Sequence, residues 1–280
     1  MSVNEKSLVK GTISALECGA EYSQKVLFIH GYLDNAASFS KLLPLIKNAH
    51  CIAIDLPGHG HSSHRSEDAH YHLTDYVFDV HKLIVESGWD SVTLVGHSLG
   101  GIICSIYAAT FPDYVSQVIS IESLGPLTEH EFTSTEQLRA SMLSRMAADK
   151  PVRHPESMAQ IIAARMRVSD MTEQDCELIL SRNTEYKEGQ LRWRTDKRLR
   201  TKSALRFTPN QALDILQHIQ CPYHILLADR GFPKIKRLYK HRLSALRKPK
   251  FYTFSGGHHV HLDSPEEVAA CINRCIESLC

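Results

Sequence analysis

The sequence lacks an excess of charge of either sign. Its 280 residues contain 32 Lys and Arg residues against 31 Asp and Glu residues, which gives a formal net charge of +1 with histidine neutral. This balance supplies no electrostatic reason to expect a nucleic acid or an anionic membrane as partner. One stretch, 187–202, is locally basic, and we interpret it as a solvent-exposed face.

Secretion signals and paired cysteine motifs are also missing. The first eleven residues carry charges of both signs and no apolar run, so we expect no signal peptide. The eight cysteines lie scattered through apolar segments without a C-x-x-C pair, at positions 18, 51, 104, 176, 221, 271, 275 and 280. This pattern favours reduced thiols over a disulfide framework. We therefore expect a cytoplasmic protein.

One stretch contains no charged residue at all. The 22 residues from Ser91 to Pro112 include no Asp, Glu, Lys or Arg, and that length would span a bilayer. Three glycines and a serine are concentrated near its centre, however, at Gly96, Ser98, Gly100 and Gly101. A strand, a tight turn and a buried helix explain this composition better, so we predict no membrane span.

Short apolar segments alternate with helical segments along most of the chain. Strands that are apolar almost throughout indicate a parallel sheet covered on both faces. The sequence therefore predicts the α/β class, with a mostly parallel sheet, helices on both faces and 11–19 pairing antiparallel at one edge. The strand candidates are 25–30, 50–55, 91–96, 116–122, 223–229 and 250–256.

The alternation stops between residues 127 and 210. Three segments there have helical spacing and are preceded by Ser, Thr or His-Pro. We predict an all-helical insertion at 127–210 that covers one end of the sheet. Residues 1–126 and 211–280 are then predicted to form the core domain.

The pentapeptide Gly96-His97-Ser98-Leu99-Gly100 lies between a predicted strand and a predicted helix. G-x-S-x-G in this context predicts a nucleophile elbow, in which a strained backbone exposes the serine hydroxyl. The N–H groups at the helix start face any negative charge that develops there. We expect the N–H of Leu99 and that of Tyr32, on the loop after strand 25–30, to form an oxyanion hole.

A serine hydroxyl needs a base, and the best candidate is His258, directly after the last strand and Gly257. His259 and His261 are its rivals, and we expect them to pack or to face solvent. A carboxylate must orient the base, and two candidates end strands in the chain order Ser, acid, His. They are Glu122 and Asp229.

With these residues assembled, the chain resembles the α/β-hydrolase superfamily, through HGYLDNAASF (30–39), DLPGHGHS (55–62), GHSLGG (96–101) and GGHHVHLDSP (256–265). Within it, HG-x-LDNAASF, RWRTDKRLR (192–200) and GGHH-x-HLDSP resemble the serine hydrolase-like proteins. The resemblance implies an eight-stranded sheet, a helical cap and a triad. It makes Ser98 the nucleophile and His258 the base, with Tyr32 and Leu99 in the oxyanion hole.

One departure from the family pattern concerns the acid. Many members carry it in a G-x-x-D motif after the penultimate strand, where this chain has Ala228-Asp229-Arg230-Gly231. Gly231 therefore stands at the expected aspartate position. Other members place the acid one strand earlier, at the position of Glu122, which we prefer; Asp229 stays the alternative.

These observations favour a cofactor-free serine hydrolase that acts on a small-molecule carboxylic ester through an acyl-enzyme. Carbon–carbon bond or thioester hydrolysis is compatible with the same residues, and a small-molecule receptor on a hydrolase fold is a third hypothesis. No metal is expected, because the histidines of 59–72 lack carboxylates at a firm spacing. These histidines are at 59, 61, 64, 70 and 72.

Overall fold

The computed structural model describes residues 2–233 and 241–279. An eight-stranded sheet has the order β1-β2-β4-β3-β5-β6-β9-β10, and the pairs from β4 to β10 are parallel. The strands are β1 (Asn4–Leu8), β2 (Ile13–Cys18), β3 (Lys25–Ile29), β4 (His50–Ile54), β5 (Val92–His97), β6 (Val115–Ile121), β9 (Tyr223–Ala228) and β10 (Lys250–Phe254). A separate hairpin joins β7 (Thr184–Lys187) to β8 (Gln190–Trp193).

Helices cover both faces of the sheet. In chain order, the helices are α1 (Leu73–Glu86), α2 (Leu99–Thr110), α3 (Ser134–Ala148), α4 (Met158–Met166), α5 (Glu173–Asn183), α6 (Pro209–Gln217), α7 (Val260–Asp263) and α8 (Pro265–Glu277). Alternate residues of β3 face opposite cores: Leu27 packs with α1, α2 and α6, whereas Phe28 packs with α8. This two-sided burial is why the central strands are continuously apolar.

All six predicted strands are present, and the predicted fold class is confirmed. The prediction for the sheet edge is incomplete. Segment 11–19 contains β2, which pairs antiparallel with both β1 and β4, so the edge strand is β1. The uncharged stretch forms β5 and the twelve-residue α2. In the described part of the chain, no helix combines the length and apolarity needed to cross a bilayer.

Residues 127–210, which we call the insert, connect β6 to the start of α6. The expectation that this segment is all-helical was wrong at 184–193, where β7 and β8 form the hairpin. Glu188 and Gly189 at its turn both have positive φ, 54° and 74°, as a two-residue hairpin turn of type I′ requires. The helical layer of the core resumes with α6, whose Leu216 packs against the α2 side of the sheet.

The insert lies over the carboxyl ends of the parallel strands. The Arg182 guanidinium, at the end of α5, donates to both Asp55 oxygens just after β4, at 3.0 and 2.9 Å from Nε. The Tyr32 hydroxyl, after β3, donates to the Leu199 carbonyl at 3.0 Å. The Asn183 amide donates to the Leu33 carbonyl at 3.1 Å. The loops of this edge, where chemistry is expected in an α/β sheet, are therefore enclosed by the insert.

Candidate active site

Ser98 lies at the sharp turn between β5 and α2. Its φ of 51° and ψ of −111° are a strained conformation for a residue with a side chain. The turn needs its glycines, since a Cβ on Gly100 would lie 1.8 Å from the Ile29 carbonyl oxygen and one on Gly96 would lie 2.4 Å from the Gly100 carbonyl carbon. The structure therefore has the predicted elbow, and the serine is partly exposed at its tip.

Two backbone amides lie close to the elbow, one at the start of α2 and one on the loop after β3. Leu99 is the first residue of α2, so its N–H has no partner within the helix. The N–H of Tyr32 is used in no hydrogen bond among the described residues. The chain approaches closely there, because a Cβ on Gly31 would lie 2.8 Å from His97 Nδ1. Both amides predicted for the oxyanion hole are thus available as donors.

The Glu122 carboxylate is buried and hydrogen-bonded on both oxygens. Its Oε1 accepts the Ala228 N–H at 2.8 Å, and its Oε2 accepts the Phe232 N–H at 3.3 Å. The His258 Nδ1–H also donates to Oε2 at 3.3 Å. Like Ser98, Glu122 has a positive φ, of 50°. The backbone at the end of β6 therefore turns sharply, which brings the carboxylate within hydrogen-bond distance of the imidazole.

The alternative acid makes different contacts. Asp229 Oδ1 accepts the Gly256 N–H at 3.0 Å and lies 3.8 Å from Arg230 Nη1, with about half of its side chain exposed. Gly231, at the expected aspartate position, lies directly over Glu122: a Cβ there would lie 2.2 Å from Glu122 Oε2. The Glu122 carboxylate thus occupies the space that an aspartate side chain at 231 would enter.

The Ser98 hydroxyl makes no hydrogen bond to His258 or to any other residue within 2–233 and 241–279. The His258 ring is nine-tenths buried and contacts the Phe232 ring, with 4.0 Å between centroids. The site therefore has an oriented imidazole and an unengaged hydroxyl.

Both rivals of His258 are buried, and neither contacts Glu122. The His259 Nε2–H donates to Asp34 Oδ2 at 3.1 Å, and its Nδ1 lies 3.6 Å from Asp170 Oδ1. Burial alone would lower the pKa of His259, but the charge of Asp34, its hydrogen bond and the nearby Asp170 carboxylate raise it to about 9. His261 is fully buried and faces Ser38.

Three of these side chains point ligand atoms at one another. One atom each from Asp34, His97 and His259 lies within 4.8 Å of the others, and His97 Nδ1 has no hydrogen-bond partner among the described residues. The Asp34 carboxylate is already bound by two cationic groups, His259 and the Arg165 guanidinium at 2.6 Å. These charges hold the pKa of Asp34 well below its usual range despite burial, which would raise it. The arrangement is that of a charge network.

Sequence analysis missed this network entirely. Asp34 and His97 lie inside motifs whose other residues had assigned roles, and Arg165 and Asp170 belong to the insert. The one available signal was the triple histidine pattern after Gly257, because three imidazoles in four residues need partners when buried. The histidines of 59–72 behave differently: His59, for example, packs on the His30 ring with 4.9 Å between centroids.

The profile of the α/β-hydrolase fold family matches residues 25–265. The chain belongs to the α/β-hydrolase family. A "Serine hydrolase-like protein" from Danio rerio is 28% identical over 271 residues, which cover 92% of this chain and 83% of the relative. The family and its serine hydrolase-like group, inferred above from motifs, are thereby confirmed, and they support a hydrolase.

Two solved structures share the fold over nearly the whole chain. A hypothetical protein from Pseudomonas aeruginosa PAO1 is 32% identical with a TM-score of 0.86, covering 98% of this chain and 97% of that one. The thioesterase domain from the curacin biosynthetic pathway is 26% identical with a TM-score of 0.82, covering 97% of this chain and 99% of that one. The elbow, the eight strands and the insert therefore lie within one α/β-hydrolase fold.

Proposed function

We propose that this α/β-hydrolase is a cofactor-free serine hydrolase that cleaves carboxylic esters through an acyl-enzyme. Ser98 is the nucleophile, His258 the general base and Glu122 the acid. The observation that carries the proposal is the buried Glu122 carboxylate, which accepts the His258 Nδ1–H while the elbow exposes Ser98. A carboxylate in that place fixes the tautomer that leaves His258 Nε2 free to accept a proton.

Acylation begins when Ser98 Oγ attacks the ester carbonyl carbon and His258 Nε2 takes the hydroxyl proton. Glu122 stabilises the resulting imidazolium, and the N–H groups of Tyr32 and Leu99 bind the oxyanion of the tetrahedral intermediate. His258 then gives its proton to the leaving alkoxide, so an alcohol departs. The Ser98–His258 hydrogen bond that the first proton transfer needs can form when substrate binds, since such contacts often tighten only in the substrate complex.

Deacylation repeats the sequence with water. His258 removes a proton from water as the water oxygen attacks the acyl carbon. The second intermediate then collapses as His258 returns that proton to Ser98 Oγ, which releases the carboxylic acid and restores the serine hydroxyl. No group beyond the three side chains and two backbone amides named above is required. Residues 127–210 are proposed to act as the cap that holds the acyl chain over Ser98, because they enclose the loops after β3 and β4.

Labelling with a fluorophosphonate tests the proposal directly. We expect an adduct on Ser98, identified by peptide mass spectrometry, and no adduct on Ser98→Ala. Ser105→Ala serves as control, since that hydroxyl is buried in α2 and bonded to the Gly101 carbonyl at 2.7 Å. Unlabelled, folded protein, or ester turnover that survives Ser98→Ala, contradicts the proposed mechanism. Stoichiometric binding of an ester without turnover would favour the receptor hypothesis instead.

Thioester hydrolysis is the second candidate, and likeness to the thioesterase domain supports it. The same residues would act, and thiolate would replace alkoxide as leaving group. A matched pair of substrates, with one acyl chain on oxygen and on sulfur, separates the two. The thioester class is assigned if the ratio of kcat/KM for the thioester to kcat/KM for the ester exceeds the ratio of their rates of alkaline hydrolysis without the protein.

A cytoplasmic location is also proposed. The support is that the cysteines within the described residues are free thiols, as a reducing compartment allows.

A further inference from the structure

We propose that Asp170, in the insert, is a positioning residue for His258, so that the docked insert assembles the base. This inference rests on the proposed serine hydrolase function. Asp170 lies on the connection between α4 and α5, whereas His258 follows β10 in the core, 88 residues further along the chain.

The peptide of His258 is held from two sides. Its N–H donates to Asp170 Oδ2 at 2.6 Å, and its carbonyl accepts from His97 Nε2–H at 2.9 Å. His97 directly precedes Ser98, so the carbonyl side is tied to the elbow. Among the described residues, the His258 N–H itself is bound only by the insert, whereas the preceding Gly257 N–H donates to Asp263 Oδ2 of the core at 2.7 Å. Removal of Asp170 therefore leaves the His258 N–H without its partner and loosens the peptide that carries the base.

Gly257 makes the contact with Asp170 possible. A Cβ on Gly257 would lie 1.5 Å from Asp170 Oδ2, and its next nearest neighbours, at 2.3 and 3.1 Å, are Cγ and Cβ of the same aspartate. The space that the missing side chain leaves is thus filled by one carboxylate. The glycine before the base therefore admits a group from the insert.

Two further contacts hold the same part of the insert in place. Arg165, on α4, donates to Asp34 Oδ1 at 2.6 Å, and His259 lies between Asp34 and Asp170. Asp34 is almost completely buried, whereas Asp170 keeps about two-fifths of its side chain exposed. Water can compete for Asp170 more readily than for Asp34, so the contact with His258 is the one that opens first.

Misplacement of the base should slow the chemical step. The only side-chain hydrogen bond that orients the imidazole among the described residues is the 3.3 Å contact with Glu122, and its length depends on where the His258 backbone lies. Displacements of about 1 Å in a catalytic group cost on the order of 10²-fold in rate. Substrate affinity, in contrast, should change little.

The test compares Asp170→Ala, Asp170→Asn and Glu177→Gln, the last an exposed carboxylate of α5 that serves as matched control. We expect Asp170→Ala to slow fluorophosphonate labelling of Ser98 and kcat by about 10- to 100-fold with KM within about twofold. In Asp170→Asn the labelling rate and kcat should fall only a few-fold, because the amide oxygen still accepts the His258 N–H. Glu177→Gln should match the parent. An unaltered labelling rate in folded Asp170→Ala would overturn the inference.

Two further variants distinguish loss of the Asp170 contact from a general folding defect. Gly257→Ala should reduce labelling as strongly as Asp170→Ala, since the new methyl group displaces the carboxylate. In the double variant Asp170→Ala/Gly257→Ala, the labelling rate should be close to that of Asp170→Ala, because the carboxylate that the new methyl group would displace is already absent. If the reductions in labelling rate of the two single variants multiply in the double variant, the inference is contradicted. Circular dichroism checks that each variant is folded.

The proton resonance of His258 Nδ1–H gives a readout that does not involve Ser98. In the parent, hydrogen bonding to Glu122 should shift it downfield, and in Asp170→Ala it should broaden or move. If the parent protein does not label at all, the proposed function fails, and this resonance still decides the role of Asp170. A resonance identical in both proteins would overturn it.

Discussion

At the scale of single residues, Glu122 and Gly231 form a complementary pair. A carboxylate on the strand before the usual one reaches the base only because the usual position has no side chain. Neither residue by itself reveals the arrangement. The glycine is the stronger clue, since Gly231 has no positive φ that would otherwise explain it.

The pair predicts an exchange of the acid between strands. Glu122→Ala should lower kcat by about 10²- to 10⁴-fold, because His258 loses its orienting carboxylate. Gly231→Asp alone should also inactivate, since the new side chain would enter the space of Glu122 Oε2. The double variant Glu122→Ala/Gly231→Asp should regain at least about tenfold over Glu122→Ala. Steady-state ester kinetics measure all three, and a double variant no faster than Glu122→Ala refutes the pairing.

His259 predicts a pH dependence of stability. Its imidazolium persists in the folded state to a pKa of about 9, whereas an unfolded histidine loses its proton near about 6.5. This contribution is complete below about pH 6.5 and is lost as the pH rises through about 9, with a maximum of about 3 kcal/mol. Urea unfolding between these limits should show a decline that is absent in His259→Gln. His218→Gln, at an exposed histidine, should keep it; an equal decline in both variants contradicts the assignment.

At the scale of elements, the elbow depends on close contact between β3 and the start of α2. Gly100→Ala places a methyl group 1.8 Å from the Ile29 oxygen, so the helix must shift. We expect a loss of at least about 3 kcal/mol in the free energy of unfolding. Gly88→Ala is the control: it has positive φ but nothing within 4 Å, so about 1 kcal/mol is expected. Similar losses in both would show that the contact can relax.

The same scale shows what periodicity can and cannot predict. Strands buried on both faces, such as β3 and β5, are apolar throughout and were predicted correctly. The edge strand β1, NEKSL, is largely exposed and carries no such pattern. Each strand of the insert hairpin has only four residues, and the segments before it have helical spacing, so the hairpin was not predicted. Prediction failed at β1, β7 and β8, which lack an apolar or aromatic run, whereas the largely exposed β10, KFYTF, was predicted correctly.

At the scale of the whole molecule, the ion pair between Arg182 and Asp55 joins the insert to the core in a buried position. Arg182 binds Asp55, which is completely buried, and also contacts Glu5 of β1. Arg182→Ala should cost about 3–5 kcal/mol, because it leaves the Asp55 charge uncompensated. Arg194→Met, in an exposed pair with Glu185, should cost less than about 1 kcal/mol. If urea unfolding gives the same loss in free energy of unfolding for both variants, water must solvate the Asp55 carboxylate once Arg182 is removed.

Contacts between distant segments account for most of what sequence analysis missed. The basic stretch 187–202 was interpreted as a solvent-exposed face, yet Arg198 is mostly buried and donates to four carbonyl groups of the loop after β4. They belong to residues 65, 66, 67 and 69. The residues of the elbow and the base were predictable because each lies at the end of its own strand. Partners supplied by the insert were not, since no local pattern specifies which loop a charged side chain will meet.

The hydrogen bond from His258 to Asp170 has a consequence for amide hydrogen exchange. That amide proton is bound by a side chain of the insert and by no backbone ladder, so it exchanges whenever Asp170 separates from it and stays protected while that contact is intact. Amides inside β5 and β6 exchange only through much larger opening. The deuterium uptake of this single site in the resting protein therefore measures how often the Asp170 segment of the insert separates from the base, before any substrate has been identified.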